Sequence, residues 1–484
     1  MNRREIVILL IFFIICCIPP LLTFNRGINY FDEGYILEGA RRILAGETPY
    51  RDFHFVYTPF LIYYLAVALR IFGPLVIVER IAAAFMSIIG IFFLGALTLK
   101  VTKNKTLTFL SMFIYAVWGP AHLNFLWPVM FILPLVFLFF LSLYESRFFL
   151  AGILMGIILL SKHNFGIALG VAFLCYLFCI THSRRQILLV LGGVVSIIAL
   201  FTTYLFATQS FIPFLVDMNT YTIQEIVVRK SFSVPFPTQP VGKFILYLFP
   251  GIISLFVGIG LMKNKKQSFL MLIPLTVFFI YLFGIFPTPD WPHLIPLISM
   301  TGILFAVSSR IFGKRYRLIP HLFMILIIGA GLYSLVVRNY YRWEAPIIKH
   351  THCFSSGRMR YMCVDEKNYT VLSQTVPLIE KEALHDAFIF AFYNNPLYYF
   401  LTNKDNPTRF IDFNVLIGKK EERIVVDELK RKKVRVIITR FNPHNNQSHV
   451  IINFLEKNYT PIKTVPDFVV WKLNLELGIG NDNR

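Results

Sequence analysis

The 484-residue sequence predicts an all-α membrane bundle of about eleven transmembrane helices, followed by a soluble C-terminal α/β domain. Three observations carry that prediction. Hydrophobic residues make up 56% of the chain and aromatics 16%, too apolar for an ordinary soluble protein. Apolar runs near the length of a membrane crossing recur through residues 1–337 and then stop. Basic residues gather in short clusters between these runs. The net charge of +20 is therefore read as membrane topology rather than a nucleic-acid-binding face, and no nucleic-acid partner is expected.

A helix needs about 20 apolar residues to cross a hydrocarbon core ~30 Å thick. Spans are expected near 6–24, 77–99, 106–119, 126–144, 148–161, 165–181, 187–207, 244–262, 268–286, 291–309 and 318–337. The first follows Arg3-Arg4 and imitates a signal peptide. It lacks a small-x-small cleavage site and ends in Pro19-Pro20, so it is read as a retained helix. With the N-terminus inside, the inner loops hold 15 Lys and Arg against only Glu5 and Glu145. The outer side of the same region holds ten cationic and nine acidic residues. Every inner loop thus obeys the positive-inside rule, which puts the N-terminus in the cytoplasm and the C-terminal domain outside. An integral, multi-pass protein of a bacterial inner membrane is expected. If Tyr57 to Phe72 also crossed, the Lys100–Lys105 cluster would change sides. That stretch is placed as a re-entrant or surface-lying helix in the first outer loop.

The expected domains are 1–337, which includes the first outer loop at 25–76, and 338–484. In the second, a helix (368–384) leads to a strand (387–392), a helix start at Asn394-Asn395-Pro396 and strand-like RFIDF. A charged helix (419–432), the strand 434–439, a helix (448–457) and two strands near 459–473 complete an α/β pattern. Cys353 and Cys363 are candidates for a disulfide in an oxidising compartment; the alternative is two free thiols.

Acids point to the chemistry. Asp32, Glu33, Glu38, Glu47, Asp52 and Glu79 crowd the first outer loop, and Asp217, Glu225 and Asp290 are the other outer carboxylates. Asp32-Glu33 follows the first span directly, where desolvation would make a carboxylate a better base. The bland reading is a solvated pair capping the next helix. That helix, GYILEGARRILAG, is amphipathic, with Ile36, Gly39, Ala40, Ile43 and Leu44 on one face and Glu38, Arg41 and Arg42 on another. It is expected along the membrane surface. Arg51, Asp52 and His54 come next. Lys162, beside His163 in Ser161-Lys162-His163-Asn164, would meet a phosphate or simply snorkel. Asp290 and His293, in Pro289-Asp290-Trp291-Pro292-His293, would contact an anion or belong to an interfacial belt. No Walker loop, dinucleotide fingerprint, zinc spacing or GxSxG elbow appears.

In order, FDEGY, GARRILAGETPYRDF, YTPFLIYYLAVALRIFG, ERIAAA, SKHNFG, PDWPHLIPL and FYNNPLYYFLTNKDNPTRF resemble the polyprenyl-phosphate-sugar-dependent glycosyltransferases of the GT-C superfamily. The likeness is to the bacterial branch related to protein O-mannosyltransferases and the lipid A aminoarabinose transferase. It implies a GT-C-type bundle and inverting transfer of a sugar from a polyprenyl-phosphate-linked donor to an extracytoplasmic acceptor: a glycolipid, lipopolysaccharide or cell-wall polysaccharide, or a protein. Carried over, Asp32 would be the base and Glu33 its support. Lys162, then His293, Arg51 and His163, would stabilise the departing lipid phosphate, with Asp52, His54 and Asp290 as further candidates. Some relatives have a second acid in the loop after the third span, where this chain reads GPAHLNFLWP. That departure puts a metal-bridging scheme in doubt, and no obligatory metal is expected.

The rival readings are a transporter or flippase of a lipid or lipid-linked sugar, and a non-catalytic assembly factor. Transporters place ionisable residues at mid-membrane and often carry internal repeats. Here the acids cluster at the outer surface, which favours interfacial chemistry.

Overall fold

Each predicted span is helical over most of its described residues. The structure, a computed structural model, describes residues 3–180, 184–228, 252–259, 261, 270–282, 291–309, 318–337, 345–393, 395–411, 419–440 and 449–474. Helix α1 (Arg3–Thr23) continues through Pro19 and Pro20 rather than ending there. The first-loop helices α2 (Asp32–Leu44) and α3 (Phe60–Phe72) follow. Then come α4 (Val76–Thr102), α5 (Lys105–Trp118), α6 (Pro128–Tyr144), α7 (Phe148–Ser161), α8 (His163–Ile180), α9 (Arg184–Ala207) and α10 (Phe211–Val228). Past the helical residues 252–259 lie α11 (Leu272–Ile280), α12 (Trp291–Ser308) and α13 (Leu318–Val336). Among the described residues, α1, α4, α9 and α13 are long and apolar enough to cross a membrane, with shorter apolar helices between them. This is the composition of an integral membrane protein.

The chain forms two compact units. The first comprises Met1–Arg26, Glu79–Tyr204 and Ser231–Lys349. Its core is built around α5, which packs on α1, α12 and α13. Two tight joints fix it. Ser111 Oγ donates to Gly302 O at 3.0 Å, and a Cβ on Gly302 would press on the Ser111 backbone. Trp118 Nε1 donates to Ile327 O at 2.7 Å. At one end of the unit Lys105 pairs with Glu5 at 2.7 Å and Lys100 pairs with Glu145, joining the starts of α1 and α5 to the ends of α4 and α6. Elsewhere Asn124 Nδ2 and Arg80 Nη1 both donate to Arg26 O, and Leu126 N donates to the buried Glu79 carboxylate. That second set gathers the end of α1 and the starts of α4 and α6, so α1, α4, α5 and α6 alternate in direction.

The second unit comprises Gly27–Val78, Leu205–Lys230 and His350–Arg484. Helix α3, about 20 Å long at 1.5 Å per residue, is too short to span ~30 Å of hydrocarbon. It buries Leu61, Ile62, Leu65 and Leu69 and packs against α2, while Val67, Ile71 and Phe72 are exposed. The C-terminal segment begins with Cys353 and Cys363, disulfide-bonded across the pairing of β1 (His352–Cys353) with β2 (Cys363–Val364). Helix α14 (Glu366–Glu382) is N-capped by Asp365, whose side chain accepts from Asn368 N. Strand β3 (Phe390–Phe392), the short α15 (Leu397–Thr402), α16 (Lys419–Arg431) and β4 (Val436–Arg440) follow. After α17 (His449–Asn458), β5 (Tyr459–Val465) and β6 (Phe468–Leu473) form a hairpin whose turn puts Asp467 at φ +65°. The sheet order is β3-β4-β6-β5, parallel between β3 and β4 and antiparallel elsewhere. Phe390, Phe392, Val425, Leu429, Ile437, Ile451 and Leu455 form the core beneath it.

One predicted strand is absent among the described residues. In RFIDF, Phe410 makes only an isolated bridge with His54, and residues 412–413 lie outside the described residues. The cause is local. Asn406 Nδ2 and Thr408 Oγ1 donate to Phe410 O at 2.6 and 3.1 Å, taking the acceptor that a sheet ladder would need.

Candidate active site

The site is built on the first turn of α2. Asp32 and Glu33 are both buried, at 9% and 0% exposure, so they are not a solvated pair. The cap is Asn29. Its Oδ1 accepts from Phe31 N at 3.1 Å and from Asp32 N at 2.9 Å, satisfying amides that the helix itself leaves open. Glu33 Oε2 reciprocates by accepting from Asn29 N at 2.9 Å, while Asn29 Nδ2 donates to Asp32 Oδ2 at 3.1 Å. The two residues close on each other as in a capping box, with Asn29 holding the helix amides and Glu33 holding the Asn29 amide. Glu33 therefore holds the turn, and Asp32 is oriented through Asn29. Gly34 lets the turn pack against α15, because a Cβ there would collide with the Leu397 backbone. Leu397 N also donates to Tyr30 O at 3.3 Å.

The remainder of α2 departs from the surface helix expected of its sequence: its polar face is buried as well as its apolar one. Glu38, fully buried, takes a two-pronged pair from Arg41 at 2.6 and 2.9 Å, and Arg41 Nη1 reaches Asp405 Oδ1 at 2.8 Å. Arg42 pairs with Glu47, donates to Thr408 O at 3.2 Å and stands 4.9 Å over the Phe53 ring. A buried charge must be paired: Arg41 holds Glu38 and Glu47 holds Arg42, and the C-terminal segment adds Asp405 and the Thr408 carbonyl. Gly46, at φ +90°, closes the C-terminal end of the helix.

Beyond α2 the chain folds back through the other first-loop candidates. Arg51 and Asp52 pair with each other at 3.0 and 2.8 Å, and this hydrogen-bonded guanidinium holds the Asp52 carboxyl below its usual range. Asp52 Oδ2 also accepts from Thr48 N, and Arg51 donates to Thr208 O at 3.4 Å. His54 is buried against Phe410 with its amide on Arg409 O. Burial, with the nearby Arg409 charge, lowers its pKa to about 4. Arg409 donates to both oxygens of Asp217 on α10, at 3.0 and 3.2 Å, and to Tyr50 O. Burial raises Asp217 to about 6 despite that partner. Arg409, Asp405 and Asn29 were not singled out by sequence. Only Asn29 left a local signal there, an Asn four residues before a Glu at a helix start.

At the far end of α2 the unit opens a cleft of about 450 Å³ lined by Arg42, Glu47, Phe388, Asp405, Phe410 and Lys432 among others. Lys432 donates to Pro407 O at 2.6 Å and stands 4.6 Å over Phe388.

The remaining candidates belong to the first unit. Lys162 is the extended residue between α7 and α8, half-buried, with His163 opening α8. The hairpin is tight there, since a Cβ on Gly166 would strike the Leu159 backbone. His293 falls within α12, but its side chain, like Asp290 as a whole, lies outside the described residues. In the GPAHLNFLWP loop, His122 bonds Val117 O and Ser334 Oγ and stacks on Trp118, a packing role. Among the described residues no group of three or more His, Cys, Asp or Glu side chains is placed to hold a metal.

No family model matches the chain, and no curated protein matches it in sequence. Solved structures do. ArnT from Cupriavidus metallidurans, crystallised with undecaprenyl phosphate bound, aligns with a TM-score of 0.59 at 12% identity, over 97% of this chain and 98% of that chain. The chain has the ArnT fold. The apo crystal structure of ArnT gives 0.60 at 13% identity, over 96% and 97%. ArnT is a GT-C glycosyltransferase of the lipid A aminoarabinose transferase type, the branch that the sequence resembles. At this identity the likeness to ArnT establishes the fold, and residue roles rest on the geometry.

Two predictions follow from the geometry around α2. Asn29→Ala should remove a cap that is typically worth ~0.5–2 kcal/mol, lowering the thermal midpoint, while Asn29→Ser, whose hydroxyl can still accept from the helix amides, should restore part of it. Equal midpoints for Asn29→Ala and the parent would show that the cap carries no weight. The second concerns pH. His54 has a folded pKa below its ordinary value, so its contribution to stability grows as pH rises from about 4 to about 6.5. Asp217 has a folded pKa above its ordinary value, so its contribution shrinks as pH rises from about 4 to about 6. The two slopes oppose. Midpoints measured across this window should climb more steeply with pH in Asp217→Asn than in the parent, and less steeply in His54→Gln. Parallel curves for all three would refute both assignments.

Proposed function

We propose that this chain is an integral-membrane glycosyltransferase that moves a sugar from a polyprenyl-phosphate-linked donor to an extracytoplasmic acceptor, with Asp32 as general base. The observation that carries this reading is the ArnT fold over 97% of the chain, in a protein crystallised with undecaprenyl phosphate. The desolvated, oriented carboxylate of Asp32 at the start of α2 supports the assignment of the base.

In this mechanism an acceptor hydroxyl or amine gives its proton to the Asp32 carboxylate as its oxygen or nitrogen attacks the anomeric carbon. The bond from that carbon to the phosphate oxygen breaks, and its electron pair leaves with the lipid phosphate, inverting the anomeric centre. Glu33 keeps the α2 turn closed through Asn29. Cations must stabilise the departing phosphate, a role that the sequence reading gives first to Lys162, then to His293, Arg51 and His163. Arg51 is the weaker choice because Asp52 already holds its guanidinium. The protein would sit in a bacterial inner membrane with eleven spans and a cytoplasmic N-terminus. The membrane domain would cover 1–337, and 338–484 would face outward. The alternating helix directions, with Lys100 and Lys105 gathered at one end, support this topology.

The test is transfer by the purified protein in detergent, from a panel of radiolabelled polyprenyl-phosphate sugars to a membrane-extract acceptor pool. Asp32→Asn should cut transfer by ~10²–10⁴-fold, the usual worth of a general base, with an unchanged thermal midpoint. Normal transfer in that variant would remove Asp32 as the base. Lys162→Ala should raise the donor KM; if only the folded yield falls, Lys162 is a packing residue.

A further inference from the structure

The cleft at the far end of α2 has no part in the chemistry assigned to Asp32, yet it is built on the same helix. Arg42 lies on its wall, ten residues after Asp32. At 1.5 Å per residue that separates the two by about 15 Å along one rigid rod. A single sugar ring cannot reach from one end of α2 to the other, so a glycan touching both would have to extend over several rings.

The lining says what such a ligand would be made of. Phe388, Phe410 and Ile424 give it an apolar floor, and Ile424 is 45% exposed. The charges on the wall are balanced, and each has a partner within the unit. Arg42 holds Glu47, Arg409 holds Asp217, Lys432 stands 3.7 Å from Glu428, and Asp405 is taken by Arg41. A phosphate or other strong anion would have to break one of these pairs to gain a cation. Hydroxyls need not, because paired carboxylates and guanidinium groups keep spare lone pairs and N–H groups. Apolar faces under a neutral, hydrogen-bonding rim suit the C–H faces and hydroxyl edges of sugar rings. About 450 Å³ falls within the range of sites for small ligands, ~300–1,000 Å³.

We propose that this cleft is an acceptor subsite, which binds sugar residues of an oligosaccharide or polysaccharide chain some 15 Å from the position where the new bond forms. The inference rests on the transferase reading and deepens it, because it selects a glycan chain over a protein side chain as the acceptor.

The experiment places a photo-crosslinking amino acid at Ile424 in the full-length protein in its own membranes, and analyses the irradiated protein for attached carbohydrate. A carbohydrate-bearing adduct at this position is expected. It should persist in an Asp32→Asn background, where binding continues without transfer. It should fall about five- to thirtyfold when Phe388→Ala removes the floor, the range of a binding hot spot. Lys432→Gln serves as the second variant if Phe388→Ala lowers the thermal midpoint. No adduct, an adduct of lipid or protein without carbohydrate, or an adduct indifferent to both variants would overturn the subsite. Failure of the transferase reading would look different: the parent protein would move no label from any donor, whatever the crosslink showed.

Discussion

A fully buried carboxylate, Glu38, sets the terms for the second unit. Burial pushes its proton affinity up, and the Arg41 fork pulls it back. Leaving such a charge without its partner typically costs ~3–5 kcal/mol, so α2 can be covered only where Arg41 is in place. Arg41 is in turn tied to Asp405, and Arg42 to Glu47 and Thr408 O. Because a helix is rigid, fixing one end fixes the register of the other. The direction in which Asp32 leaves the first turn follows from ion pairs two turns away, and the reciprocal bonds of Asn29 and Glu33 then remove the slack that remains.

Much of the architecture was legible because the membrane imposes a simple rule on sequence. The described helices of the predicted spans, the short helix within Tyr57 to Phe72 and, RFIDF apart, the order of helices and strands after residue 366 follow from apolar runs, periodicity and turn residues. Asp32 stood out as an acid placed straight after a span. What escaped was whatever depends on partners far away in sequence. The amphipathic pattern of α2 shows two faces but not what covers the polar one, and the cover comes from residues 405–408. Arg409 and Asp217 lie 192 residues apart and carry no shared local signal. RFIDF reads as a strand because its side chains alternate, yet the side chains of Asn406 and Thr408 consume the acceptor that pairing would use. Lys162 sits at the hairpin its sequence marks, and the meaning of its charge depends on a ligand rather than on the fold.

The electrostatics of this unit are organised in pairs rather than fields. Arg409 stands between a histidine kept neutral by burial and an aspartate pushed toward neutrality by the same burial. Their titrations pull stability in opposite directions over one pH window, so together they flatten a response that either would impose alone. The chain is strongly basic overall, yet the walls around α2 present almost no uncompensated charge. That neutrality keeps a polar face compatible with a buried position.

The partner of Arg41 lies 364 residues downstream. A chain made from its N-terminus at about 5–20 residues per second would wait roughly 20–70 seconds for Asp405 to emerge. Through that interval the segment carrying Asp32 exists while its cover does not. Vectorial synthesis thus sets this carboxylate late, although it is among the first to be made. Early sequence waits on late sequence for its final geometry.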